Sequence, residues 1–306
     1  MCFSAQLVDA YRQHCRRWGA FISLEEFKDL YGPAFSDRRK VPKMIDQLFI
    51  DPQTDDERAI KTLIDRRNAE LATEYEQELF KQRTRLADAE RKLAVKETKA
   101  AAESRRIATD KVEALKRKLD DLRRTEPKDR DARIFPGVYA PVIVSEGGKL
   151  VVKPMRYQCR PAGKPAFYDI KYPGTYNARR DNLEGFWKGQ FGHTHGLMIV
   201  KTFYENVDRD GKNVVLQFTP DDREPMLVAC LWSRWTGKDE PELLSFAAIT
   251  DDPPPEVAAA GHDRCIVQIK PENVGAWLNP DPRNLAASYA ILDDRPRPYY
   301  EHRLAA

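Results

Sequence analysis

The sequence predicts an α+β protein: mixed, mainly antiparallel β-sheets with flanking helices, carrying a long helical, coiled-coil-like insertion. Three observations lead there. Residues 55–126 contain neither Gly nor Pro, so nothing in that stretch interrupts a helix. From 133 onward, short runs rich in Val, Ile, Phe and Tyr follow one another with turn residues between them, as strands joined by tight connections do. The 306 residues are 42% hydrophobic and 32% charged, enough apolar mass for a sizeable core beside one very polar section.

Taken in chain order, residues 1–50 form the N-terminal part of the β-rich domain. There "SLEEFKDLYG" reads as a capped helix, with Ser23 at the N-cap, Glu26 at N3 and Gly32–Pro33 closing it. Residues 51–130 are the insertion. Leu79, Leu86, Leu93, Ala100, Ile107 and Ala114 recur every seven residues, and Ala87, Ala94, Ala101, Ala108, Leu115 and Leu122 form a second row one position later. Such narrow, Ala-rich seams predict a long helix or helical hairpin, with 66–126 available for a protein partner or self-association. Pro127 ends it. Residues 131–306 are the main β-rich domain. "GVYAPVIVSEGGKLVVKPMRY" reads as a hairpin turning at Gly147–Gly148. Strands are expected at "HGLMIVKTFYENV", "NVVLQFTP", "MLVACLWSRW", "ELLSFAAIT" and "CIVQIKP", and a short helix at "PENVGAWL".

Several function classes fall away. The net charge is only +3, so nucleic-acid binding needs a local basic face rather than a polycationic chain. The five cysteines (Cys2, Cys15, Cys159, Cys230 and Cys265) are scattered and form no C-x-x-C pair, against a disulfide framework or a zinc knuckle. His193 and His195 in "GHTHG" lack a third ligand nearby, so no metal is expected, and nothing calls for a cofactor. No apolar run approaches the length of a membrane span and no signal-like segment opens the chain, which predicts a cytoplasmic protein without a membrane partner.

Four places carry candidate chemistry. The chain opens MCFSAQ, and removal of Met1 would leave Cys2 with a free α-amine and a thiol on adjacent carbons. Their unperturbed pKa values, roughly 8 and 8.5, leave both partly deprotonated near neutral pH. Such a 1,2-aminothiol captures an aldehyde twice, as an imine and then as a five-membered thiazolidine. "TYNARRDNL" offers Asn177, Arg179 and Arg180 after a Pro-Gly turn. In "KTFYENV", Glu205 follows a strongly apolar strand, where burial tends to raise a carboxyl pKa. "AAGHDRCIVQI" places His262, Asp263 and Arg264 in a turn before a strand.

Together and in this order, the four resemble the SOS-response-associated peptidase (SRAP) family of abasic-site processing proteins, over residues 1–6 and roughly 133–280. The chain departs from the family pattern at Phe3, Ser4 and Ala5, at Cys265, and in carrying the helical insertion. The resemblance implies a SRAP-like fold and covalent capture of an abasic site in single-stranded DNA by Cys2, with Asn177, Glu205 and His262 as its catalytic partners. Arg179 and Arg264 suit phosphates flanking the site, and Arg180, Lys188 and Arg234 would extend a DNA-binding groove. Exposed rings among Trp187, Trp232 and Trp235 would supply stacking surfaces, core packing being the competing reading of these tryptophans. Two other readings stay open: a thiol peptidase or autoprocessing enzyme with Cys2 as nucleophile and His262 as base, and a non-covalent DNA-binding scaffold whose helical arm recruits a partner.

Overall fold

The computed structural model describes residues 4–8, 11–32, 40–238 and 240–305; Cys2 lies outside them. The chain divides into two compact units. One comprises Met1–Leu30, Asp37–Asp51 and Lys128–Ala306, the other Tyr31–Ser36 and Pro52–Pro127.

The first unit is built on strands β1 (Ser4–Leu7), β2 (Phe21–Ile22), β3 (Arg133–Ile134), β4 (Tyr139–Glu146), β5 (Lys149–Tyr157), β6 (Asn177–Arg179), β7 (His195–Arg209), β8 (Lys212–Pro220), β9 (Met226–Gly237), β10 (Glu240–Asp251), β11 (Cys265–Ile266) and β12 (Tyr300–Leu304). Strand β7 is the hub. It pairs antiparallel with β1, β4, β8 and β9. Because β9 pairs with β10, β10 with β5, β5 with β4 and β4 with β7, five strands close on themselves and leave few raw edges. The β4–β5 hairpin turns at Gly147 and Gly148, whose φ values of +56° and +75° only glycine adopts without strain.

Most residues of β4, β7, β9 and β10 are buried irrespective of parity, so these strands are covered on both faces. That is why they read as continuous apolar runs rather than alternating ones. Helices α1 (Tyr11–Arg17), α2 (Leu24–Tyr31) and α3 (Lys43–Asp46) accompany the N-terminal strands. At the start of α2 the expected capping box does not form: the Ser23 hydroxyl donates to the Glu26 side chain instead of accepting from a helix N–H, and the Ser23 N–H donates to the Val152 carbonyl of β5.

The second unit is a helical hairpin. Helix α4 (Asp55–Val95) runs 41 residues, roughly 60 Å, from a Thr54 N-cap that accepts from the Glu57 N–H. Helix α5 (Lys99–Arg123) starts at a second threonine cap, Thr98, which accepts from Ala101. The two heptad rows are the seams of two helices. Leu79, Leu86 and Leu93 belong to α4, whereas Ala101, Ala108, Leu115 and Leu122 belong to α5. Neither row continues through the turn. Ala100, Ala87 and Ala94 are exposed, because the non-helical residues at 96–98 reset the phase. Leu79 packs with Val112, Leu115 and Leu119, backed by Ala72 and Tyr75. The helices thus partner each other. Polar contacts repeat the antiparallel register: Arg85 donates to Ser104 at 3.0 Å, and Arg123 meets Glu76 at 2.5 Å.

Beyond the hairpin, β-domain helices α6 (Tyr168–Lys171), α7 (Pro255–Ala259), α8 (Val274–Leu278) and α9 (Leu285–Asp293) complete the chain. Among the described residues no helix is long and apolar enough to cross a membrane.

Candidate functional site

Strand β10 gathers the site. Its C-terminal residues pair on one edge with β6, in register Ala248–Asn177, Ile249–Ala178 and Thr250–Arg179. On the other they pair with β11, where Thr250 opposes Ile266 and Asp251 opposes Cys265. The "NARR" and "HDRC" segments are therefore neighbours across a single strand, although some 85 residues of sequence separate them.

Helix α7 delivers His262. The Gly261 N–H donates to the Ala258 carbonyl at 2.9 Å, with Gly261 at φ +98°, and the His262 N–H donates to Val257 at 3.2 Å. A left-handed residue just past a helix end is where glycine is favoured. The turn swings His262 onto Glu205 of β7, with Nε2 3.2 Å from Oε2. Glu205 is 0% and His262 7% exposed.

Burial pushes the His262 pKa below its usual 6.5, against the pull of the Arg264 carbonyl, so the imidazole is neutral at pH 7. His262 Nδ1 lies 2.9 Å from the Arg264 carbonyl oxygen and 3.2 Å from the Arg264 nitrogen. If Nδ1–H donates to the carbonyl, the lone pair on Nε2 needs a proton between it and the carboxyl. If Nδ1 accepts from the Arg264 N–H, Nε2–H donates to the carboxylate. The 3.2 Å approach of Nε2 to Oε2 brings the two groups within reach of a common proton. A buried acid and base this close are equipped for proton transfer.

Two arginines border the pair. Arg179 Nε donates to Asp181 at 3.0 Å, and Arg264 lies 4.0 Å from the same carboxylate. Asp181 thus joins the two segments in one ion-pair cluster, with Asp252 3.9 Å from Arg264. Asn177 is 6% exposed on β6, and Lys188 is exposed without an ion-pair partner among the described residues. On β1, Ser4 pairs with Tyr204, the residue before Glu205. Beside the His262–Arg264 turn a cavity of about 430 Å³ is lined by Asp252, Glu256, Cys265, Arg295, Arg297 and Tyr299, among others.

Two sequence expectations need correction. Arg180, expected to extend a DNA-binding groove, is instead a fastener. It lies 3.1 Å from Asp251 of β10 and 2.5 Å from Asp293 of α9, and Arg295 reaches Asp251 at 2.9 Å. Burial would raise the Asp251 pKa, but the Asp252 N–H and the two guanidinium groups outweigh it and hold the carboxyl low. Trp187, expected to stack on bases, is 3% exposed and packs edge-on against Phe186 at 4.9 Å. Trp235 is likewise buried, its indole N–H donating to the Lys164 carbonyl, and Trp232 is half-buried.

His195 has both ring nitrogens committed. Nε2 accepts from the Gly192 N–H at 2.8 Å, so Nδ1–H donates to the Trp277 carbonyl at 2.9 Å. Burial lowers its pKa to about 4. Among the described residues no group of His, Cys, Asp and Glu is arranged to hold a metal.

Sequence reasoning missed Arg133. Its Nε and Nη2 both donate to Ser4 Oγ at 3.2 Å, and its guanidinium lies 3.8 Å from the centre of the Tyr204 ring. Nothing in "DARIFPG" marks it; only the pairing of β3 with β1 brings it there. The described cysteines are poor nucleophiles. Burial pushes the thiols of Cys15 and Cys159 up to about 12 and raises those of Cys230 and Cys265.

No curated protein sequence matches the chain. Among solved structures, a Bordetella bronchiseptica protein is 19% identical over 57% of this chain and 87% of its own, with a TM-score of 0.48. A Bacteroides thetaiotaomicron protein is 17% identical over 57% of this chain and 78% of its own, also at 0.48. A phage-related protein of Bordetella bronchiseptica is 21% identical over 57% and 81%, at 0.44. The family model for SOS response associated peptidase (SRAP) matches residues 104–303, nearly two thirds of the chain and the whole span from Asn177 to Arg264. The chain belongs to the SOS response associated peptidase (SRAP) family.

Proposed function

We propose that this protein captures abasic sites in single-stranded DNA as a covalent thiazolidine on Cys2, exposed as the N-terminal residue by removal of Met1. The observation that carries the reading is the buried Glu205–His262 pair, 3.2 Å apart and bordered by Arg179 and Arg264.

An abasic deoxyribose rests mainly as a closed hemiacetal. Opening it requires loss of the proton on the C1′ hydroxyl and gain of one at the ring oxygen. Glu205 and His262, sharing a proton, perform that exchange, an effect of about 10²–10⁴-fold for general acid–base catalysis. The Cys2 amine then attacks C1′. The carbinolamine loses water to give the imine, the Cys2 thiolate adds to the imine carbon, and the nitrogen takes up a proton. The sum is aminothiol plus aldehyde giving thiazolidine plus water. Amine and thiol share one residue, so the second step is intramolecular. Asn177 orients the amine or the sugar, and Arg179, Arg264 and Lys188 take flanking phosphates. Of the five cysteines, Cys2 is the one that offers an amine beside its thiol.

The test uses protein whose loss of Met1 is verified by intact mass, incubated with a single-stranded oligonucleotide carrying one abasic site. A band that survives heat on a denaturing gel without borohydride, and that disappears with Cys2→Ala, is the expected result. Absence of that band, with Met1 gone, overturns the proposal and returns the peptidase and scaffold readings to the front.

A further inference from the structure

The helical hairpin has a charge distribution that the net charge conceals. Residues 52–80 hold four Lys and Arg against eight Asp and Glu, whereas residues 81–118 hold thirteen against six. At the apical turn, 91–102, Arg91, Lys92, Lys96 and Lys99 face Glu97 alone.

Pairing follows the same division. Near the base, Arg58 meets Asp55, Lys61 meets Asp65 and Arg66 meets Glu70. In the distal half, Arg91, Arg106 and Lys116 find carboxylates one turn away. Lys92, Lys96, Lys99, Arg105, Lys111 and Arg117 are exposed and have no ion-pair partner among the described residues. A merely solvated coiled-coil surface alternates its charges along each face. Six unpaired cations gathered at one end repel one another, and a polyanion relieves that repulsion.

We propose that the distal half of the hairpin, residues 81–118, binds the phosphate backbone of duplex DNA. The composition discriminates between nucleic-acid forms. Residues 81–118 contain no Phe, Tyr or Trp, so they offer none of the stacking platforms on which single strands are held. A duplex presents a charge about every 1.7 Å and can be held by cations alone. The rigid stretch of α4 from 81 to its end, roughly 20 Å, runs alongside about a dozen such charges. A membrane surface fits less well, because the apolar face of α5 (Ala101, Ala108, Val112, Leu115 and Leu119) is buried. Binding by this arm does not depend on chemistry at Cys2.

The test is a salt series of anisotropy titrations with the full chain and an undamaged duplex oligonucleotide, comparing wild type with the triple variant K92E/K96E/K99E. All three residues are exposed at the turn, and far-ultraviolet circular dichroism checks that the helices persist. The triple variant should bind duplex about tenfold to a hundredfold more weakly near physiological salt, and its slope of log K against log salt should fall by about 2–3. Its crosslinking to a short abasic single strand should stay at the wild-type rate. Unchanged duplex affinity and slope would overturn the proposal. So would a loss confined to single strands or to anionic vesicles. Cys2→Ala protein should bind undamaged duplex like wild type, which separates failure of the arm from failure of covalent capture.

Discussion

At the end of the barrel, Glu205 is fully buried and meets His262 at 3.2 Å, while Asp251 is held between Arg180 and Arg295. On the hairpin, Arg106 reaches Glu103 and Asp110 while all three side chains stand more than half exposed. Both regions are rich in ion pairs, yet the pairs do different things. In the barrel, loss of hydration makes each protonation state expensive to alter, so a charge there fixes geometry or moves a proton. On the hairpin, water and salt screen each pair to little net worth, and what matters is the sum of charges that a polyanion would feel. Substitutions in the barrel should therefore change chemistry or pH response. Those on the arm should change salt dependence and little else.

The largest effect expected from this contrast is at Glu205. Glu205→Gln keeps the shape but cannot carry the proton shared with His262. Loss of catalysed ring opening should slow crosslinking to an abasic single strand by about 10²–10⁴-fold, with circular dichroism unchanged. A pre-opened aldehyde with no ring to open should rescue most of that loss. A Glu205→Gln protein that crosslinks at the wild-type rate would leave the pair a structural feature only.

Next in size is the acid response of His195. Its pKa is about 4 in the fold and 6.5 when unfolded, so between those values the unfolded chain binds the extra proton. Stability attributable to this residue is complete above pH 6.5 and is lost as pH falls toward 4, by roughly 3 kcal/mol. Carboxylates lose stability in the same direction, so the measurement is a difference. Urea unfolding across that range should show a shallower pH slope for His195→Gln than for wild type. Equal slopes would mean that the fold does not lower the His195 pKa.

These contrasts bear on what the sequence could reveal. The strands and the 147–148 turn were legible because alternation, apolar runs and glycine dipeptides are local signals. The heptad rows were legible too, but their division between two helices was not. Nothing in "VKETKA" is a strong breaker, and a cap such as Thr98 is a weak mark without the structure. The order of the site motifs could be read, and the structure gathers Arg179, Glu205, His262 and Arg264. It could not be read which of two adjacent arginines faces outward. Arg180 turns inward because Asp251 and Asp293 wait there, 71 and 113 positions along the chain. Arg133 escaped for the same reason: Ser4 comes beside it only through strand pairing. Long-range electrostatic partners are the information that local pattern lacks.

The smallest expected effect comes from the hairpin, at its interhelical hydrogen bond. Ser104 accepts from Arg85 Nε at 3.0 Å, and the contact is only partly buried. Removing the hydroxyl forfeits a bond of about 1 kcal/mol, and less where water can replace it. Alanine, however, is a better helix former than serine by a few tenths of a kcal/mol. The two effects oppose each other, so Ser104→Ala should destabilise the arm by no more than about 0.5 kcal/mol. Hydrogen exchange of the α5 amides can measure that difference locally, because the arm is a compact unit of its own. A much larger loss would mean that the seam leans on this polar contact rather than on Leu79, Val112, Leu115 and Leu119. The hairpin's charges would then be structural, as those of the barrel are, and the division drawn between the two regions would fail.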